Sequence, residues 1–360
     1  MSRRGVSLAQ GLATGLRYLW GTESDGALRE RARSAPAWLL RFLTATDSPI
    51  SSKSRTEPHR RLNMLAARNA AFGLFMAVAL AAFWAPLSML IRFSFRQEQY
   101  SHIILIPLVS AVLIFLDRTR IFSHLKTCWG AGLGLLLAGT LLYALAPRYA
   151  PAAGENDQLA IETLSAVIIW AGGFVLCYGI RAFRVGRFPM LFLLLMVPIP
   201  DFLLSRAIFW LRSGSAEVSY ALFQLLGVPV LRSGFIFSLP GVTIEIAQEC
   251  SGIRSSLALV IMGLLAGHLF LRSPWTKAAL ALAVLPLAIV KNGIRIVTLS
   301  LLSIYVDPSF LTGRLHHQGG IVFFLLALVL LAPVVWLLQR SERSSRTSPE
   351  AGNGGASLHA

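Results

Sequence analysis

The chain has 360 residues, of which 55% are hydrophobic and only 14% charged, and its mean hydropathy is +0.64. A soluble domain carries roughly 25% charged residues, and a disordered chain needs low hydrophobicity, so both classes are excluded. The net charge of +16 would suggest nucleic acid in a soluble protein, but 12 of the 33 Lys and Arg precede residue 70 and most others fill short gaps between apolar runs. That placement writes membrane topology, and no nucleic-acid partner is expected.

Residues 1–69 form a basic extension without the short apolar core and cleavage site of a signal peptide, so the first apolar span is expected to act as the targeting signal. A membrane helix needs about 20 apolar residues. Eight runs qualify as spans: 70–91, 102–117, 130–147, 160–180, 188–200, 252–271, 278–304 and 318–338. The fifth is the shortest and ends in Pro198-Ile199-Pro200-Asp201. Basic residues fill the gaps after spans two (Arg118, Arg120, Lys126), four (Arg181, Arg184, Arg187), six (Arg272, Lys277) and eight (Arg340, Arg343, Arg346). The alternate gaps hold much of the acid, including Glu98, Glu155, Asp157, Asp201, Glu217, Glu245, Glu249 and Asp307. The positive-inside rule then puts both termini in the cytoplasm.

Between spans five and six the pattern changes. Over 203–226, Leu204, Ile208, Leu211, Val218, Leu222 and Leu225 recur at helical spacing, with Arg206, Ser213, Glu217 and Gln224 mostly elsewhere on the wheel. This predicts an amphipathic helix lying on the outer interface. Residues 230–247 alternate around Pro240-Gly241 and predict a short periplasmic β-hairpin. The tail, 340–360, is rich in Ser, Gly and Arg and is expected to be disordered and cytoplasmic. The expected fold is an all-α polytopic membrane protein of about eight transmembrane helices, with residues 70–339 as its membrane domain.

The three cysteines, Cys128, Cys177 and Cys250, are odd in number and widely spaced, so neither a disulfide framework nor a zinc site is indicated, and no cofactor or metal is expected. Cys250 enters the outer end of span six, where the helix dipole and Arg254 favour a thiolate. Arg295 lies well inside span seven, where a charge costs on the order of 3 kcal/mol on insertion scales and marks function by default. Lys291, at i and i+4 with Arg295, shares its face, and Asn292 adjoins it. His316 and His317 precede span eight, and imidazole is the side chain most suited to carry protons at neutral pH. Each has a bland alternative: a buried inert thiol, a snorkelling cation, a solvated imidazole. The topology nevertheless brings Cys250, Arg295 and His316 from three spans to one outer face. A nucleophile, an electrostatic stabiliser and a proton carrier are the set that acyl transfer needs.

Glu249-Cys250-Ser251-Gly252-Ile253-Arg254-Ser255 resembles the A/E-C-S-G-[LI]-R-S motif of exosortases and archaeosortases. Asn292-Gly293-Ile294-Arg295-Ile296 resembles their N-x-x-R-[IV] motif, and His316-His317-Gln318-Gly319-Gly320 their histidine–glycine motif. The resemblance covers about 160–340, with weaker architectural similarity back to residue 70; Ile321 stands where many members carry an aromatic. It implies a multi-pass inner-membrane cysteine transpeptidase. Its partners would be the bilayer and secreted proteins that end in a short motif such as Pro-Glu-Pro, a membrane helix and an Arg-rich tail. Carried over, Cys250 is the nucleophile, His316 the acid/base and Arg295 the stabiliser. Glu249, Arg254, Lys291, Asn292 and His317 are supporting or substrate-binding residues. The rival readings are a transporter or flippase for an anionic polyprenyl-linked glycan, and a non-catalytic assembly factor for export.

Overall fold

In the computed structural model, residues 57–123, 126–149, 154–248, 251–311 and 320–347 are described. The chain divides into two compact units, 1–64 and 65–360. Helices α1 (Glu57–Ala82), α2 (Trp84–Arg96) and α3 (Leu105–Leu116) open the fold, with a four-residue turn α4 (Arg118–Ile121). Next come α5 (Trp129–Tyr149), α6 (Glu155–Tyr178), α7 (Ile180–Val185) and α8 (Arg187–Phe192). They are followed by α9 (Asp201–Leu225), strands β1 (Leu231–Ser233), β2 (Ile236–Leu239) and β3 (Val242–Glu245), then α10 (Ile253–Phe270), α11 (Pro274–Tyr305) and α12 (Gly320–Thr347).

Among the described residues, six helices are long and apolar enough to cross a membrane, and seven if the bent pair 187–196 and 201–225 counts as one span. The difference from eight arises at two places. Helix α3 has 12 residues, or about 18 Å, against a hydrocarbon core of about 30 Å. The chain also turns by 89° between 187–196 and α9. Proline causes that bend: Pro198 and Pro200 flank Ile199 and cannot continue a helical ladder. The first expected span, 70–91, is likewise divided at Phe83, because Pro86 in the first turn of α2 has no N–H to extend α1. Its apolar stretch begins earlier, at Met64.

Contacts gather the basic gaps at one end of the bundle. Arg68 donates to the Cys177 carbonyl and the Thr127 hydroxyl, both at 3.2 Å. Phe188 stacks on His268 with ring centroids 3.9 Å apart. The Glu342 carboxylate accepts from the backbone N–H groups of Arg272 (3.0 Å) and Ser273 (2.8 Å) and from the Thr276 hydroxyl, capping the start of α11. That clasp explains a correction: residues 340–347, expected without structure, continue α12 as helix. Replacing Glu342 with Ala is expected to cost about 1 kcal/mol, as the loss of a helix cap does, and to lower the thermal midpoint in detergent by a few degrees.

Acids gather at the other end. The side-chain amide of Asn156 donates to the Ile199 carbonyl (2.7 Å) and to Asp201 (2.8 Å), and the Tyr100 hydroxyl donates to the same carbonyl at 3.3 Å. Burial, with the Asp201 charge adding, pushes the Tyr100 hydroxyl up to about 12, so it stays a neutral donor. The expected hairpin is found with one strand more: β1, β2 and β3 form an antiparallel meander, with Leu231 opposite Ser238 and Phe237 opposite Ile244. Phe237, Ile246, Ala216, Phe223 and Val297 close a small core between sheet, α9 and α11.

Helix α9, expected as an amphipathic helix on the outer interface, buries mainly small residues in its second half. Leu204 is buried, but Leu225 is 82% exposed, and the second half buries Ser215, Ala216, Ser219 and Phe223. Close approach to α11 selects the small side chains. A Cβ on Gly214 would lie 2.9 Å from Ile289, and one on Gly293 2.5 Å from Val218. Large apolar side chains have no room there, and Phe202, Phe209 and Trp210 point outward instead.

Candidate functional site

The sheet, α9, α10 and α11 meet where the chain leaves β3. Ile246 is buried and its N–H donates to the Phe235 carbonyl at 2.9 Å, which carries the strand direction one residue past β3. Arg212 of α9 holds this exit. Its Nε donates to the Ile246 carbonyl, its terminal nitrogen reaches Glu245 at 3.2 Å, and its guanidinium lies 3.8 Å from the Phe235 ring centroid. A cavity of about 90 Å³ beside it is lined by Ser205, Ile208, Phe209, Arg212 and Gln248.

Past residue 250, Ser251 is fully buried and Gly252 adopts the left-handed conformation (φ +71°, ψ +18°) immediately before α10. That turn needs glycine twice over: an L side chain is strained there, and a Cβ would lie 2.6 Å from Asn292 Oδ1. Helix α10 begins with the Gly252 carbonyl accepting from the Ser256 N–H (2.9 Å) and the Ser255 hydroxyl (3.1 Å).

Helix α11 supplies the facing wall. Lys291, Asn292 and Gly293 are buried in its middle, and Lys291 is only 1% exposed. The Lys291 ammonium donates to the Ser255 hydroxyl of α10. The Asn292 amide donates to Ser215 of α9 at 3.0 Å, and the Ser219 hydroxyl to the Gly293 carbonyl at 3.4 Å. Asn292 thus touches α9 and lies against Gly252, tying three helices at one point. Arg295 is half-buried one turn further along α11.

The structure therefore brings the segment after Cys250 together with Lys291 and Asn292, and sets Arg295 on the same helix face. Arg254 is exposed on α10. Glu249, Cys250, His316 and His317 lie outside the described residues. Sequence reasoning missed Arg212 and Ser215, and gave Ser255 no role beyond its place in the cysteine-bearing motif. The weak signal for Ser215 is the small-residue run Ser213-Gly214-Ser215-Ala216 inside an apolar helix. Nothing local ties Arg212 to a carbonyl 34 residues away.

Lys291 offers a direct test of this packing. Lys291→Ala leaves a cavity and is expected to cost about 2–4 kcal/mol. Lys291→Met keeps the volume and removes a buried charge, so its stability should stay within about 1 kcal/mol or rise. Thermal unfolding in detergent distinguishes the two.

Membrane-length helices with a small antiparallel sheet at one end, and a buried polar knot where that sheet feeds a helix, define a multi-pass helical membrane protein with an embedded site. Its sequence matches the transmembrane exosortase family (Exosortase_EpsH) over residues 92–333, more than half of its length, and the chain belongs to that family. Comparison with curated proteins and with solved structures gave no match.

Proposed function

We propose that this exosortase is a cysteine transpeptidase of the bacterial inner membrane. In this reading it cleaves the C-terminal sorting signal of secreted proteins at the periplasmic face and passes the new C-terminus to an acceptor linked to surface or exopolysaccharide export. The observation that carries the reading is the packing of Gly252 against Asn292. It joins the cysteine-bearing motif to the arginine-bearing one across two helices, 40 residues apart in the chain, in a buried polar setting.

The chemistry runs in two halves. The Cys250 thiolate attacks the carbonyl carbon of the scissile peptide, and the Arg295 guanidinium balances the charge that develops on the oxygen. The C–N bond breaks as His316 gives its proton to the departing amine, leaving a thioester on Cys250. The acceptor amine, giving its proton to His316, attacks that thioester, and the C–S bond breaks to release the Cys250 thiolate. Lys291 and Asn292 fix the wall behind the cysteine-bearing turn, and Arg212 holds the strand that leads into it. Arg254, on the exposed side of α10, meets acidic groups of the sorting motif, while Glu249 and His317 support their catalytic neighbours.

A membrane-impermeant maleimide applied to intact cells tests the reading. Cys250 should be labelled and processing of the secreted substrates should stop in step with labelling, with Cys128 and Cys177 unmodified. Full alkylation of Cys250 with processing unchanged would sink it.

A further inference from the structure

The basic end of the bundle holds a cleft that the proposed chemistry does not use. It lies between the turn after α3 and the turn after α6, has a volume of about 310 Å³, and is lined by Arg120, Ile121, Ser123, Arg181, Arg184 and Val185. Three of its six lining residues are arginines, and none is an acid. Asp117, the acid nearest in sequence, is not among them. Among the described residues, the two Arg–carboxylate pairs, Arg212–Glu245 and Arg232–Glu217, both lie in the segment from α9 to β3.

The floor is built rather than improvised. Ile121 is 1% exposed and sits in one apolar cluster with Phe174, Tyr178, Ala182 and Met190. Gly179 lets the Lys126 carbonyl pass directly over the start of α7, which brings the two turns together. Arg120, Arg181 and Arg184 are exposed around this floor, and an anion between three like charges relieves their solvent-screened repulsion. Guanidinium forks match phosphate oxygens two at a time.

The level of the cleft decides what carries that phosphate. Leu116 and Tyr178 end the apolar helices α3 and α6, so the arginines stand where acyl chains give way to headgroups. Phe115 (61% exposed), Leu116 (56%) and Val185 (53%) offer apolar surface beside it. A free phosphate gains only the guanidinium contacts, whereas a phospholipid gains these and lays its chains on that surface. We infer that this cleft is a binding site for the phosphate of an anionic phospholipid of the inner leaflet. It rests on the membrane reading of the fold and not on the proposed catalysis.

The test uses the full-length protein in neutral detergent. Thermal unfolding is followed with added phosphatidylglycerol, phosphatidylcholine or inorganic phosphate. Phosphatidylglycerol should raise the midpoint saturably, with phosphatidylcholine and inorganic phosphate ineffective at the same concentration. Each Arg→Gln change at 120, 181 or 184 should weaken the apparent affinity about five-fold, and the triple variant about 100-fold. Arg206→Gln, at the opposite end of the bundle, should leave it unchanged. If the triple variant does not fold, the three single variants give the same comparison. Unweakened phosphatidylglycerol affinity in the Arg184→Gln and Arg181→Gln variants, equal to that of the unsubstituted protein, overturns the site. An equal shift with phosphatidylcholine overturns its charge selectivity, and one with inorganic phosphate overturns the lipid assignment.

Discussion

Replacing Cys250 with Ala in the native host is expected to abolish processing, by at least about 10⁴-fold, while the protein accumulates at wild-type level. In the proposed reading Cys250 is the nucleophile, so its loss removes the covalent route entirely, and the sequence offers no other thiol near that motif. Secreted substrates would then keep their C-terminal helix and stay membrane-bound, which fractionation and mass measurement of their C-termini report. Arg295→Ala should be less severe, about 10²–10³-fold, because an electrostatic stabiliser contributes only to the transition state. Arg295→Lys should recover part of that loss, since a point charge replaces a fork. Normal processing in Cys250→Ala with a defect in Arg295→Ala would instead favour a transporter, whose path needs the cation and not the thiol.

Among the described glycines, Gly179→Ala should carry the largest structural penalty, about 4 kcal/mol or more. Two costs add. The residue has φ +90° and ψ 166°, a region essentially closed to L side chains and worth about 1–3 kcal/mol of strain. A Cβ there would also overlap the Lys126 carbonyl, and backbone cannot swing aside as a side-chain tip can. Relief requires the segment after α4 to separate from the end of α6. The readout is a large fall in the thermal midpoint and in the yield of detergent-soluble protein. The control is Gly134→Ala, whose added Cβ meets nothing within 4 Å.

The membrane class and the order of most helices are legible in the sequence because apolar length is a one-dimensional property. Its failures are three-dimensional. The run 102–117 satisfies a hydropathy reading, yet only Leu105–Leu116 is helix. Apolar spacing marks one face of α9 but not its packed one: proximity to α11 rewards small side chains, so Ser215 and Ser219 turn inward. The candidate site divides the same way. Lys291 and Arg295 declare themselves as charges inside a span. Ser255 and Ser215 are ordinary serines until the helices meet, and then each becomes a hydrogen-bond partner of a buried group on α11.

The clasp at Glu342 has a consequence for biosynthesis. The start of α11 emerges from the ribosome about 70 residues before the carboxylate that caps it. Until the last helix is threaded into the bilayer, that turn relies on water or lipid for its donors. A nonsense codon anywhere upstream of 342 therefore leaves an unfinished bundle end for quality-control proteases to find, while an affinity tag fused after residue 347 leaves the lock intact.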